Sequence, residues 1–207
     1  MTAALTLMLL SYPLLSHWFI QQQKPQYAVY LLAIYVGVFA LASVLGQRKL
    51  HIGSTLALVL AVILALLPGW QGVNLLQLMP VLINLLLALG LGYSLGNGQT
   101  PLITRLASIM RGGNMPDPVR RYTRAVTLVW CLFFVFMAVV ALLLVLFASL
   151  ESWSLFANLL TYILIAGFIV LEFAFRRWYL GALVDYSFTD FIKGLVKLDY
   201  AHIFRQK

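Results

Sequence analysis

The chain has 207 residues, of which 63% are hydrophobic and 10% charged, with a formal net charge of +8 and a mean hydropathy of +0.96. A soluble domain is about 45–50% apolar and about 25% charged, and one water-facing core of this size cannot hide the surplus. The composition therefore excludes a secreted scaffold, a soluble nucleic-acid-binding domain and a disordered tail, and makes the bilayer the solvent.

A membrane-spanning helix needs about 20 apolar residues to cross about 30 Å of hydrocarbon. Six segments meet that standard: residues 2–20, 27–45, 52–70, 75–95, 126–150 and 153–175. They predict an all-α polytopic integral membrane protein with short extracytoplasmic turns and amphipathic surface helices on the cytoplasmic side. Residues 1–177 form the transmembrane domain, with a long connection at 96–125, and residues 178–207 form an amphipathic tail. The first segment has no basic n-region and no small-residue cleavage motif before Gln21-Gln22-Gln23-Lys24, so it reads as a retained helix. With the N-terminus inside, every lysine and arginine except Lys24 falls on the cytoplasmic side, which predicts that both termini are cytoplasmic. The positive charge is then a matter of topology and no evidence for nucleic acid. The outer turns (21–26, 71–74 and 151–152) are short, so any water-exposed function falls on the inner face.

In the fourth helix Gln77, Pro80 and Asn84 share one stripe, and Pro80 frees the carbonyl of Leu76. Asn158, Thr161 and Tyr162 offer a polar side on the sixth helix. Helix–helix hydrogen bonding accounts for such residues; a small polar cavity for a headgroup or substrate is the alternative. Gly90, Gly92, Gly96 and Gly98 follow no strand and lack a Lys-Ser/Thr partner, so Gly92 and Gly96 read as a small-residue packing surface.

In the long connection Thr100-Pro101 reads as an N-cap followed by proline at the first helical position. Leu102, Ile103, Leu106, Ile109 and Met110 share one side, Thr104, Arg105, Ser108 and Arg111 the other, and Gly112-Gly113 closes the segment. This pattern predicts a short helix in the headgroup plane. Asp117-Pro118 opens the fifth helix, which runs to Leu150 over about 50 Å and projects a turn or two into the cytoplasm. Arg120, Arg121 and Arg124 lie on that projection, where cations oppose the helix dipole and call for a negative partner. Lipid phosphate with Asp117 would serve, as would a phosphorylated substrate or the acidic surface of another protein.

The single cysteine, Cys131, sits in an apolar run and excludes an intramolecular disulfide framework. Glu172, four residues before Arg176, reads as a local pair at the membrane interface, and no buried charge pair is expected. In the tail, residues 189–204 form a second amphipathic segment suited to surface anchoring. Phe191, Ile192, Leu195 and Leu198 lie on one side, Asp190, Lys193 and Lys197 on the other, and Gly194 weakens the helix. His17 and His202 have no neighbours at metal-ligand spacing, and no catalytic triad, HExxH motif or carboxylate pair is present. The expectation is no catalytic residue, no metal and no cofactor; an enzyme would have only Glu172 and Tyr122 to work with.

Pro101-Leu102, Arg105, Arg121-Tyr122-Thr123-Arg124, Val126-Thr127, Trp130 and Phe133-Phe134 resemble a family of small bacterial inner-membrane proteins. That family is encoded among genes for aryl polyene (xanthomonadin-type) pigment lipids or related fatty-acid machinery. The resemblance implies a Gram-negative inner membrane and a role near acyl-chain assembly. The ketosynthase label of some members finds no support here, since condensation needs a nucleophilic cysteine with histidine support and no histidine is near Cys131 in sequence. The expected function is that of a non-catalytic accessory or scaffold protein in envelope lipid or aryl polyene biosynthesis. Arg105, Arg111, Arg120, Arg121 and Arg124 would bind the anion or partner. Membrane lipids, an acyl carrier protein or an acyltransferase of the same pathway are the expected partners. The alternative is a transporter or flippase of a lipid or polyene precursor, using Gln77, Asn84, Asn158 and Thr161. No internal repeat relates helices one to three to helices four to six in its support.

Overall fold

The computed structural model describes residues 2–47, 59, 62, 66, 69–96, 98–113, 115–184 and 186–197. Among them the regular structure is entirely helical. Three stretches are long and apolar enough to cross a bilayer: Asn74–Ser94, Asp117–Phe147 and Leu150–Leu183. They coincide with the fourth, fifth and sixth predicted spans. The first and second predicted spans are helices α1 (Thr2–Gln21) and α2 (Pro25–Gln47). Most of the predicted third span, together with Arg48, Lys49 and the tail beyond Lys197, lies outside the described residues.

The chain forms two compact units, Met1–Leu82 with Val139–Ile163 and Ile83–Ala138 with Leu164–Lys207. In the first, α1 ends where the Gln23 amide bonds the Ile20 carbonyl and the Lys24 amide bonds that of Phe19, with Gln23 at φ 57°. This paired closure satisfies two orphan carbonyls and places Pro25 at the first position of α2. Ile20, Ala28, Val29, Ala33, Leu76 and Trp153 form the core of this unit. Small residues on α2 let the helices approach. Helix α6 (Leu150–Leu155) packs on α1. It starts at Ser149, whose hydroxyl accepts from the Ser152 amide, so the predicted outer turn at 151–152 is instead the first turn of a helix. After α6 the chain makes one π turn (Phe156–Leu160) before α7 (Thr161–Leu180).

The second unit contains the later part of α3 (Gly69–Ser94), α4 (Leu102–Met110), the first two-thirds of α5 (Asp117–Phe147) and the later part of α7. A short 3-10 turn (Gly181–Leu183) and α8 (Phe188–Lys197) follow. Here α3 meets α5 at its small residues: Cys131 Sγ donates to the Ala88 carbonyl at 3.2 Å and lies 3.5 Å from where a Cβ on Gly92 would be. Gly92 is thus the packing surface its spacing predicts. Helix α4 is closed by Gly112 and Gly113, both at positive φ, whose amides bond Ile109 and Ser108 carbonyls.

Two local expectations are corrected. The start of α4 is not capped by Thr100: Pro101 is the cap residue, and the Leu102 amide is satisfied by Ser94 Oγ at 3.0 Å, from the end of α3. Helix α4 is also tied to α5. Thr104, on its supposed polar side, is buried and accepts from Thr123 Oγ1 of α5 at 2.9 Å.

Candidate functional site

In the second unit α5 and α7 line up an aromatic seam, because residues spaced three and four apart share a helix face. At one end Tyr122 stacks with Tyr179 at 5.6 Å and with Phe175 at 6.3 Å. At the other, Trp130 meets Phe168 edge-on at 4.6 Å and Phe133 stacks on the same ring at 4.5 Å. A cavity of about 440 Å³ follows this seam, with Arg121 and Tyr179 among the residues at the first end and Val129, Trp130 and Phe168 at the second. A smaller one of about 180 Å³ is lined by Ile103, Leu106 and Met110 of α4 together with Trp130, Arg176 and Phe191. Val126, Trp130 and Glu172 line both.

Glu172 and Arg176 are one helical turn apart, and the guanidinium forks onto the carboxylate at 3.0 and 2.7 Å. Their side chains are only 10% and 9% exposed. This is a buried charge pair, against the expectation of an interfacial one. The reason is tertiary: Tyr122 donates to Glu172 Oε1 at 3.0 Å, Arg176 donates to the Tyr186 hydroxyl at 3.1 Å, and Phe191 of α8 covers the guanidinium at 4.7 Å. Three elements supply partners that a one-turn spacing does not reveal. The structure thus brings Tyr122 and Glu172 together, and among the described residues no group of three or more His, Cys, Asp or Glu side chains is placed to hold a metal ion.

Helix α8 owes its position to the same centre. Phe191 packs on Phe173 at 5.6 Å and on Tyr186 at 6.4 Å. Its Gly194 sits against the Met110 methyl, 2.6 Å from where a Cβ would stand, so glycine admits a close approach between α4 and α8. A reciprocal cap starts the helix: Ser187 Oγ donates to Asp190 Oδ2 at 2.6 Å and accepts from the Asp190 amide at 3.2 Å. The Ser187 hydroxyl, and then its amide, hold the Asp190 carboxyl below the usual carboxylate range. The Ser187-Phe188-Thr189-Asp190 spacing was the sequence signal for this start, which falls before residue 189.

The arginines of the inner-face expectation divide by partner. Arg111 donates to the Leu183 carbonyl, closing the 3-10 turn after α7. Arg124 donates to the Leu95 carbonyl at 3.1 Å, just beyond the end of α3. Both satisfy carbonyls that helix ends leave open. Arg105 is half-buried. Arg120 is exposed and 3.8 Å from Asp117, at a separation and exposure where the pair contributes little. Arg121 is exposed and borders the larger cavity.

Two of the polar residues on the candidate spans, Asn158 and Thr161, have local partners. In the first unit Asn158, in the π turn, donates to the fully buried Ser154 hydroxyl at 3.0 Å, which meets His17 Nδ1 of α1 at 2.9 Å. Thr161 Oγ1 donates to the Phe156 carbonyl at 2.9 Å, which also accepts the Thr161 amide across the π turn. Gln77 is half-buried in that unit, and Asn84 is buried in the second. The chain matches no protein-family model, no curated protein and no solved structure.

Proposed function

We propose that this chain is a non-catalytic accessory protein of a bacterial inner membrane, with six spans and cytoplasmic termini, whose basic inner face recruits an acidic or phosphorylated partner. The observation that carries this reading is the exposure of Arg120 and Arg121 on the first turns of α5. That helix has 31 residues, about 46 Å, whereas hydrocarbon takes up about 30 Å. The surplus leaves room for its polar start to stand in water while the apolar remainder spans. The dipole at a helix start repels cations, and Asp117 compensates only weakly at 3.8 Å, so an external anion is favoured there. The family resemblance points to an acyl carrier protein or an acyltransferase in envelope lipid or aryl polyene assembly.

The test replaces Arg120, Arg121 and Arg124 with glutamine and measures capture of the host's acyl carrier proteins by the membrane-inserted protein. Loss of capture with normal insertion is the expected result. Undiminished capture by the inserted triple variant overturns the reading.

A further inference from the structure

The larger cavity has a polarity of its own along its length. Arg121, Tyr122 and Tyr179 stand at one end and Val129, Trp130 and Phe168 at the other. From Arg121 to Trp130 along α5 is about 14 Å, close to the hydrocarbon depth of one leaflet, about 15 Å. Tyrosines at the charged end suit the membrane–water boundary, where such rings collect. The wall carries one carboxylate, Glu172, whose charge Arg176 cancels through a two-point fork. Arg121 is therefore the uncompensated charge of the lining, and it is positive. A volume of about 440 Å³ falls within the ordinary range of small-molecule sites, about 300–1,000 Å³.

We infer that this groove is a selective seat for an anionic phospholipid of the surrounding leaflet. Its phosphate lies on Arg121 and the Tyr179 hydroxyl, since the Tyr122 hydroxyl already donates to Glu172, and one acyl chain runs between α5 and α7 to Trp130 and Phe168. The guanidinium fork suits phosphate oxygens, and the aromatic lining suits a chain already in the hydrocarbon. Arg121 also belongs to the proposed docking face, but Arg120 and Arg124 do not border the groove. The lipid site is tested with no partner protein present, so its failure and that of partner recruitment are separable.

The experiment reconstitutes the full chain in bilayers containing brominated phosphatidylglycerol or brominated phosphatidylcholine and reads tryptophan quenching. The Trp130→Phe variant is subtracted to isolate Trp130 from the other tryptophans. Phosphatidylglycerol should quench Trp130 with about fivefold higher relative affinity, the preference one basic residue near an anionic headgroup gives. Arg121→Gln should reduce that ratio to about one, while Arg120→Gln leaves it intact. Ala125→Leu, which lines the groove, should cut Trp130 quenching by both lipids with the helical circular dichroism unchanged. Equal quenching by the two lipids in the wild-type chain, or an Arg121→Gln variant that keeps the preference, overturns the assignment. Brominated stearate outcompeting phosphatidylglycerol also overturns it, placing a free carboxylate in the groove instead.

Discussion

Glu172→Gln separates two values for one ion pair. An exposed i,i+4 pair stabilises a helix by about 0.3–0.5 kcal/mol, whereas removing one partner of a buried pair costs about 3–5 kcal/mol because the other charge stays buried alone. Side-chain exposures of 10% and 9% place Glu172 and Arg176 in the second class. Glutamine keeps the shape and still accepts from Tyr122, and Arg176 retains Tyr186 and Phe191. Those remaining contacts point to the lower end, about 3 kcal/mol. For a chain of this length that corresponds to a fall of about 6–12 °C in the unfolding midpoint. The assay is thermal unfolding of the purified protein in detergent, followed by circular dichroism. Replacing both residues together, Glu172→Leu with Arg176→Met, should return the midpoint to within about 1 kcal/mol of wild type, since no charge is then stranded. A loss below about 0.5 kcal/mol for Glu172→Gln refutes the burial argument and returns the pair to the interface.

The cap of α8 carries a pH dependence. The Asp190 carboxyl is held low by Ser187 in the folded state, so its stabilisation is present above the unfolded carboxylate range and is lost as pH falls through the lower folded value. Amide hydrogen-exchange protection of α8 should drop on acidification through that window, and Ser187→Ala should remove the pH step; an unchanged step contradicts the cap. At the helix closures two substitutions should differ in sign. Gly112→Ala imposes a side chain at φ 61° and should cost about 1 kcal/mol. Gln23→Gly relieves the same strain at φ 57° and loses only the exposed 2.7 Å bond to Glu151, so thermal unfolding should show it neutral or stabilising.

Apolar run length gave the long helices, because hydrophobic thickness is a one-dimensional constraint that a sequence displays directly. The same holds for the Gly112-Gly113 stop and the Asp117 start of α5. What stayed hidden was contact between elements remote in sequence. Ser94 caps α4 from eight residues away. Thr104 turns inward because Thr123 meets it. Glu172 and Arg176 are buried because Tyr122, Tyr186 and Phe191 arrive from three directions. The π turn, which packs with α6 against α1, was likewise not legible.

The arginine cluster shows the same limit at the site itself. Spacing places Arg120, Arg121 and Arg124 near one another on a helix, and electrostatics then treats them as equivalent charges. The fold does not, because a guanidinium near an open helix end has carbonyls to satisfy. Arg124 serves Leu95 and Arg111 serves Leu183, so neutralising either should loosen a helix end as well as remove a charge. Arg120 and Arg121 are where a change of charge is least entangled with the scaffold. A recruitment defect confined to the Arg120→Gln, Arg121→Gln double variant would therefore speak for docking. A defect that appears only when Arg124 is added would speak for the junction between α3 and α5, and the basic face would then be structural before it is functional.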